Sequence, residues 1–268
     1  MGSWSGKTVL VTGGSAGLGV EIVAAFAAAG ATVVALARNS ERLEEAVGGM
    51  RERDWDVRGE TADVLIPEQV EQAVQRAVSL HGQLDVFVNN VGRSVRGRAC
   101  DTTPEEFQEF WEVNFLSIVR CTRIAIPHLI QSQGHLVNIG SLAAKVGGKH
   151  LGAYPASKFP LAAYSQQLRL ELAEHRVHVL LACPGPLKRD DGGQRYESSA
   201  ANLPPTANQP GGGVRISGLD GAVVGRRIVK CCERRRPELV MPSKAKLLFA
   251  LAQISPAFGD WILKKMTK

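Results

Sequence analysis

The stretch Thr12-Gly13-Gly14-Ser15-Ala16-Gly17-Leu18-Gly19 decides the fold of this chain. Before it stands Lys7-Thr8-Val9-Leu10-Val11, a short β-branched run that predicts a buried strand. After it, residues 20–27 have the composition and period of a helix. Between a strand and a helix, glycines let the backbone approach a pyrophosphate, which the helix N-terminus attracts. We therefore interpret the stretch as a dinucleotide-binding turn, with an ordinary tight turn as the alternative.

Strand-like and helix-like segments alternate along the rest of the chain. Strands are predicted at residues 31–37, 57–62, 84–89, 134–140, 177–183 and, at an edge, 238–241; helices are predicted at 40–53, 67–81, 104–130 and 154–174. Ser40 is expected to cap the helix at 40–53. Such alternation implies parallel strands joined by right-handed crossovers. The predicted fold class is α/β, a single Rossmann-type doubly wound parallel sheet with helices on both faces, which binds ligands outside the carboxyl ends of its strands.

Tyr154 and Lys158 stand four residues apart on a predicted helix, so their side chains share one face. An ammonium beside a phenol favours the phenolate and lowers its pKa from about 10. Such a tyrosine could exchange a proton with a carbonyl or alcohol oxygen. Two unrelated surface residues can also fall at this spacing. We favour the chemical interpretation because Ser141 lies thirteen residues upstream and the glycine-rich turn opens the chain.

The end of the second predicted strand, Ala35-Leu36-Ala37-Arg38-Asn39, bears on the choice of cofactor. A site for NAD would place an acidic residue about here, to bond the ribose 2′-hydroxyl, and this stretch has none. Arg38 instead offers a planar fork for a 2′-phosphate. The sequence therefore predicts NADP(H), and the alternative is that Arg38 is only a surface cation.

Taken together, these motifs resemble the short-chain dehydrogenase/reductase family, and the resemblance extends over about residues 7–242. Six matches occur in the family's order: the turn Thr12 to Gly19, Asn89-Asn90-Val91-Gly92, Asn114, Ser141, Tyr154 with Lys158, and Pro184-Gly185. The resemblance implies reversible transfer of a hydride between NADP(H) and a small-molecule carbonyl or secondary alcohol, on an apolar substrate. It also implies a homodimer or homotetramer, built through the helices that carry Asn114 and Tyr154.

The resemblance also assigns roles to individual residues. Tyr154 would exchange the proton with the substrate, and Ser141 would hold the substrate oxygen. Lys158 would lower the pKa of Tyr154 and bond the nicotinamide ribose. Asn114 would anchor a water that relays protons through Lys158, or would simply bond backbone as a buried asparagine. The candidate cofactor-binding residues are Gly13, Ser15, Gly17, Leu18, Gly19, Arg38, Asn39, Asp63, Val64, Asn90, Val91, Gly92, Tyr154, Lys158, Pro184 and Gly185.

Two positions depart from the family pattern. Arg189 stands where the family often has a threonine that bonds the cofactor carboxamide, and Pro160 lies just past Lys158 and is expected to disturb the helix. Residues 188–218 form a polar stretch, which the resemblance identifies as the substrate-covering loop. A non-catalytic dinucleotide-binding sensor or scaffold on the same fold is the alternative function. The presence of Ser141, Tyr154 and Lys158 together argues against it.

Composition limits the remaining classes of function. The 268 residues carry a net charge of +6, which suits an anionic cofactor, but no dense basic run with aromatics predicts a nucleic-acid partner. The five cysteines form no C-x-x-C and predict reduced thiols in a cytoplasmic protein, and no spacing predicts a metal site. The first strand starts too early for a signal peptide, and we expect no apolar run of the roughly 18 residues that span a membrane.

Residues 243–268 follow the predicted catalytic domain, residues 1–242, as an amphipathic tail. Its apolar residues are Leu247, Leu248, Leu251 and Ile254 on one helix face, then Trp261, Ile262 and Met266 beyond Ser255-Pro256. We favour packing of this tail against the domain, the substrate loop or a second subunit. The alternative is peripheral contact with an anionic membrane, which its lysines and tryptophan would favour.

Overall fold

The computed structural model describes residues 2–188, 194–214 and 217–267, and within them the chain forms one seven-stranded parallel sheet. The strands are β1 (Thr8–Thr12), β2 (Thr32–Ala37), β3 (Val57–Thr61), β4 (Val86–Asn89), β5 (His135–Ile139), β6 (His178–Pro184) and β7 (Glu238–Met241). The helices are α1 (Leu18–Ala28), α2 (Ser40–Arg51), α3 (Pro67–His81), α4 (Pro104–Trp111), α5 (Ser117–Ser132), α6 (Tyr154–Lys158), α7 (Pro160–Glu171), α8 (Glu197–Ala200), α9 (Gly221–Glu233), α10 (Ala245–Ile254) and α11 (Pro256–Met266).

The strand order places the ligand crevice beside β1. The order across the sheet is β3-β2-β1-β4-β5-β6-β7, so the chain winds outward in one direction from β1 and then in the other from β4. Leu10 of β1 pairs with Val34 of β2 on one side and Phe87 of β4 on the other. Helices that leave β1 and β4 diverge to opposite faces at this reversal, which opens a crevice at the carboxyl ends. The predicted fold class is confirmed.

Apolar side chains fill both faces of the sheet. One buried cluster includes Ile22 and Phe26 of α1 with Ile228 of α9, and a second includes Val74 of α3 with Leu129 of α5. A third, smaller cluster includes Leu161 and Val240. The helix α9, which the sequence analysis did not assign, crosses α1 closely at Gly225. A Cβ there would lie 2.5 Å from the carbonyl oxygen of Glu21, so only glycine fits.

Three predicted helices differ in detail from those observed. The cap of α2 is Asn39 rather than Ser40, because Asn39 Oδ1 accepts a hydrogen bond from the Arg42 N–H at 2.7 Å. The helix predicted at 104–130 is divided into α4, one π-helical turn at Glu112–Leu116 and α5. Pro160 divides the helix predicted at 154–174 into α6 and α7, yet Phe159 between them keeps helical angles (φ −56°, ψ −42°).

The sequence analysis expected no segment long and apolar enough to span a membrane. By length and composition alone, that expectation is wrong. The helical stretch Pro104–Ser132 meets both criteria, with a mean hydropathy of 1.2 in its most apolar window, of which 39% is buried. A core helix of a soluble protein meets the same criteria. Here α5 packs against the sheet through Ala125 and Leu129, which accounts for the apolar residues on that face.

Candidate active site

The glycine-rich turn between β1 and α1 leaves the backbone open at the mouth of a cavity. Gly13 (φ +67°) and Gly17 (φ +54°) adopt backbone angles that favour glycine. A Cβ at Gly14 would lie 2.8 Å from the Cβ of Ala35, and one at Gly19 would lie 1.9 Å from the carbonyl oxygen of Gly13. The turn therefore packs directly against the neighbouring strand at Gly14 and against its own first residue at Gly19, where no side chain would fit. This is the cradle that a dinucleotide phosphate requires.

Thr12 and Asn90 tie the ends of β1 and β4 together beside this turn. Thr12 Oγ1 donates to the Val88 carbonyl at 3.1 Å and accepts from the Asn90 N–H at 2.9 Å. Asn90 Nδ2 donates to the carbonyls of Thr12 at 3.0 Å and Gly13 at 3.3 Å. The Asn90 side chain therefore holds the turn in place, a structural role that the sequence analysis did not predict.

A cavity of about 2510 Å³ runs along the carboxyl ends of the strands and brings most of the predicted residues together. The predicted residues that line it are Gly13, Ser15, Gly17, Leu18, Arg38, Asn39, Asp63, Val64, Asn90, Val91, Gly92, Ser141, Tyr154, Lys158, Pro184 and Gly185. Gly19 and Asn114 are not among the lining residues. Gly19 contributes by its close contact with Gly13, and Asn114 lies fully buried behind the wall.

One end of the cavity carries exposed arginines. The Arg38 side chain is 73% exposed, and its Nη1 lies 3.6 Å from Asp63 Oδ2. Asp63 Oδ1 accepts from the Leu65 N–H at 2.9 Å, and Asn39 is occupied as the cap of α2. Arg42 also lines the cavity, and the sequence analysis missed it because it lies in the helix rather than at the strand end.

Burial raises the pKa of the half-buried Tyr154 phenol, which corrects the direction expected from the sequence. The low polarity around the ring disfavours the phenolate, and Tyr196 and Cys183 add to the effect. A hydrogen bond with the Ser141 side chain and the charge of Arg96 act in the opposite direction but are weaker. In the polypeptide alone, Tyr154 therefore holds its proton at neutral pH.

Lys158 is buried below the cavity, with only 3% of its surface exposed. Its Nζ donates to the Ile139 carbonyl at 3.0 Å. Burial lowers the pKa of Lys158 to about 8, because the ammonium loses its hydration. The strongest influences on the Tyr154 pKa do not include Lys158, so the predicted electrostatic coupling is not evident in the chain by itself.

Asn114 lies in the π-helical turn and is fully bonded to protein groups. Its Oδ1 accepts from the Arg93 N–H at 2.8 Å, and its Nδ2 donates to the Arg93 carbonyl and the Ser157 hydroxyl, both at 2.9 Å. A Cβ at Gly92 would lie 3.0 Å from both Asn114 Oδ1 and Lys158 Nζ. Gly92 thus lets these two polar groups approach the backbone that lines the cavity. Single π-helical turns are frequent at functional sites.

The segment 194–214 covers the far side of the cavity, and Arg96 holds it there. The Arg96 guanidinium lies 3.8 Å from the ring centroid of Tyr196 and donates to the carbonyls of Ala207 at 2.6 Å and Gln209 at 3.2 Å. Tyr196 OH is 2.7 Å from Ser94 Oγ. Within the loop predicted at residues 188–218, these contacts place the described part, residues 194–214, over the cavity. Arg189 lies outside the described residues.

Away from this cavity, His135, His178 and Cys232 place three possible metal-ligand atoms within 4.8 Å of one another. The two Nδ1 atoms are 2.9 Å apart, and His178 Nε2 donates to the Arg236 carbonyl at 2.7 Å. Burial lowers the pKa of His135 to about 3 and that of His178 to about 4, and it raises the pKa of Cys232. The charge of Arg235 also disfavours a further cation here. The two imidazoles therefore form a neutral pair at the amino ends of β5 and β6.

Comparison with known proteins agrees with the geometry of the cavity. The sequence model described as short chain dehydrogenase matches residues 7–198. The ketoacyl reductase HetN of Nostoc sp. is 30% identical over 271 residues, which cover 98% of this chain and 90% of that protein. A solved short-chain dehydrogenase from Streptomyces avermitilis has a TM-score of 0.78 and 26% identity, and the match covers 96% of this chain and 95% of that one.

A variant of actinorhodin polyketide ketoreductase, solved with NADPH, also has a TM-score of 0.78, with 25% identity over 88% of this chain and 95% of that one. These matches extend across the turn, the sheet and the residues around Tyr154. The chain therefore belongs to the short-chain dehydrogenase/reductase family of oxidoreductases, whose members bind a nicotinamide dinucleotide.

Proposed function

We propose that this protein is an NADPH-dependent ketoreductase that acts on an apolar acyl ketone. The observation that carries the proposal is the meeting of Ser141, Tyr154 and Lys158 in one cavity with the glycine-rich turn. The bound dinucleotide would supply the hydride. The polypeptide would bind and orient the substrate, and would exchange the proton.

Tyr154 is suited to donate a proton to a substrate carbonyl oxygen. Burial raises its pKa, so the phenol is protonated at neutral pH and can act as the acid of a reduction. The hydrogen bond with Ser141 orients the phenol, and the Ser141 hydroxyl can bond the same carbonyl oxygen. The raised pKa leaves the phenol protonated, which is the form that reduction starts from, whereas oxidation would start from the phenolate.

Lys158 and Asn114 would support this proton transfer from below. With a pKa of about 8, Lys158 is charged at neutral pH but can release a proton more readily than an exposed lysine. Its ammonium could bond a ribose hydroxyl of the dinucleotide while it remains anchored on the Ile139 carbonyl. Asn114 holds the backbone of Arg93 next to Gly92, so it positions the wall that Lys158 approaches.

NADP(H) is the proposed form of the cofactor. The end of β2 and the three residues after it, Arg38, Asn39 and Ser40, carry no carboxylate. Arg38 and Arg42 border the cavity there. A guanidinium can form two parallel hydrogen bonds to a phosphate. The presence of NADPH in the related actinorhodin ketoreductase structure supports the same choice.

The substrate end of the cavity favours an apolar chain. Its lining includes Val146, Leu151, Leu248, Phe249, Leu263 and Met266. Apolar surface that loses water on ligand binding contributes roughly 25 cal/mol per Å². Since the relative HetN is a ketoacyl reductase, we propose a 3-ketoacyl thioester with an aliphatic chain as the substrate class.

The test is an assay of cofactor oxidation with a panel of ketones, followed by the absorbance of the reduced nicotinamide. We expect oxidation of NADPH with 3-ketoacyl thioesters of medium or long chain, and much slower oxidation with short polar ketones. A non-catalytic sensor would bind the cofactor with similar affinity yet oxidise it with no substrate of the panel. That outcome would overturn the proposed function.

A further inference from the structure

Helix α11 presents two different faces, and the inner one belongs to the cavity. Leu263 and Met266 line the cavity wall, and Thr267 forms an antiparallel bridge with Val214 of the covering segment. The end of the tail is thus attached to the segment that covers the cavity. This arrangement agrees with the packing that the sequence favoured for the tail.

Helices α10 and α11 form a tight hairpin. Gly259 of α11 is buried against Ala252 of α10, and a Cβ at Gly259 would lie 2.6 Å from the Cβ of Ala252. On the inner side of α10, Phe249 packs against the cluster that includes Leu161 and Val240. The inner face of the hairpin is therefore accounted for by contacts with the rest of the chain.

The outer face of the hairpin is apolar and exposed. Among the described residues, eight large apolar side chains are exposed, and four of them lie in this hairpin. They are Leu247 at 67%, Ile254 at 82%, Phe258 at 44% and Trp261 at 50% exposure. The rings of Phe258 and Trp261 stack with their centroids 5.6 Å apart. Half of the exposed large apolar side chains thus lie on one small element, which marks an interaction surface.

The charges around this face identify the chemistry of the partner. Lys246, Lys264 and Lys265 are exposed lysines of the same two helices. Lys244 lines the cavity instead, and Asp260 is the one acidic residue in the span 244–267. Lys265 Nζ lies 3.9 Å from the ring centroid of Trp261. Apolar side chains bordered by lysines, with a tryptophan between them, suit the boundary between acyl chains and anionic headgroups.

We propose that the outer face of the α10–α11 hairpin docks this protein on the surface of an anionic membrane. Phe258 and Trp261 would enter the boundary between headgroups and acyl chains, and the lysines would bond lipid phosphates. Docking depends on this face alone and does not rest on the proposed activity. If the proposed substrate class is also correct, docking places the cavity wall formed by Leu263 next to a reservoir of acyl chains.

The test is co-sedimentation of the full chain with vesicles of phosphatidylcholine alone or of phosphatidylcholine with phosphatidylglycerol. We expect binding to the anionic vesicles, weaker binding to the neutral ones, and a decrease at high salt. The double variant Phe258→Ser/Trp261→Ser should bind at least tenfold more weakly, which corresponds to about 1.4 kcal/mol. The charge-reversed variant Lys264→Glu/Lys265→Glu should lose the preference for anionic vesicles.

The matched control is Leu170→Ser, which removes an equally apolar side chain with 73% exposure from α7. Its binding to vesicles should equal that of the wild type, and the melting temperatures of all variants should lie close together. Absence of wild-type binding, or equal losses in Leu170→Ser and in the hairpin variants, would overturn the proposal. So would a wild-type dimer in light scattering that the Phe258→Ser/Trp261→Ser variant dissociates, because the face would then bind a second copy of the chain.

Discussion

Replacing Arg38 by alanine should remove most of a preference for NADPH over NADH. The Arg38 guanidinium is 73% exposed and has an ion pair with Asp63 at 3.6 Å. Such an exposed pair contributes about 0–1 kcal/mol, so little is lost when the guanidinium turns toward a phosphate. A hydrogen bond between charged groups contributes about 1.5–3 kcal/mol. The net preference is therefore about 0.5–3 kcal/mol, or roughly 2–160-fold in affinity.

The assay is a fluorescence titration of wild type and Arg38→Ala with NADPH and with NADH. The affinity for NADPH should fall within that range of roughly 2–160-fold, while the affinity for NADH should stay nearly constant. Arg76→Ala is the matched control, since Arg76 is another exposed arginine in an ion pair, with Glu60 at 2.9 Å, but does not line the cavity. Equal wild-type affinities for the two cofactors would refute the reasoning, as would an Arg38→Ala protein that discriminates as well as the wild type.

Three further variants test other parts of the structure. Arg96→Ala should lower the free energy of unfolding by about 2–4 kcal/mol and raise KM, because two carbonyls of the covering segment lose a charged donor. Arg96→Lys should restore only part of the stability and of the KM, and an unchanged KM in Arg96→Ala would contradict the role of Arg96 in holding that segment. Gly19→Ala should abolish cofactor binding in titrations, because its Cβ would displace the Gly13 carbonyl, and retained affinity would contradict the geometry of the turn. The neutral pair His135 and His178, with folded pKa values of about 3 and about 4, should cost stability as the pH falls below about 6.5, because the unfolded chain then binds more protons. Two such shifts give a loss on the order of 5 kcal/mol in urea unfolding between about pH 7.5 and pH 4.5. A His135→Gln/His178→Gln protein with the same loss would contradict this account.

Local signals in the sequence were sufficient for the turn and for most of the elements. Helix α3 is predicted and observed at Pro67–His81, because Pro67 can start a helix and Gly82 adopts the left-handed angles that end one. Most residues of the cavity were found because they follow a strand end or lie on a helix that faces one, and the carboxyl ends of parallel strands share one edge. Hydrophobic periodicity does not indicate which polar residues belong to the site, whereas the order of the motifs along the chain does.

Properties that depend on burial or on distant contacts could not be predicted. The direction of the Tyr154 pKa follows from desolvation of the ring, which no local spacing reveals. Arg96 contacts Ala207 more than a hundred residues away, so its role in holding the covering segment has no local signature. The π-helical turn around Asn114 also escaped, because its hydrophobic pattern is too short to distinguish it from an α-helix.

By contrast, α9 was missed although its signal was present. Its buried residues Val224, Ile228 and Cys232 recur every four residues, which is the spacing of a helix face. Asp220 also caps the helix by accepting from the Ala222 N–H at 2.9 Å. The preceding glycine-rich stretch obscured this start.

The central claim is that Tyr154 donates the proton to a ketone while the cofactor is held by the rest of the cavity. The most direct test compares kcat and the Kd for NADPH between the wild type and Tyr154→Phe, with the best 3-ketoacyl thioester of the panel. Phenylalanine keeps the ring and removes only the hydroxyl that contacts Ser141. We expect an unchanged Kd and a kcat that is lower by about 10²–10⁴-fold. A Tyr154→Phe protein that turns over within about threefold of the wild type would contradict the account, since a proton donor of this kind is worth far more.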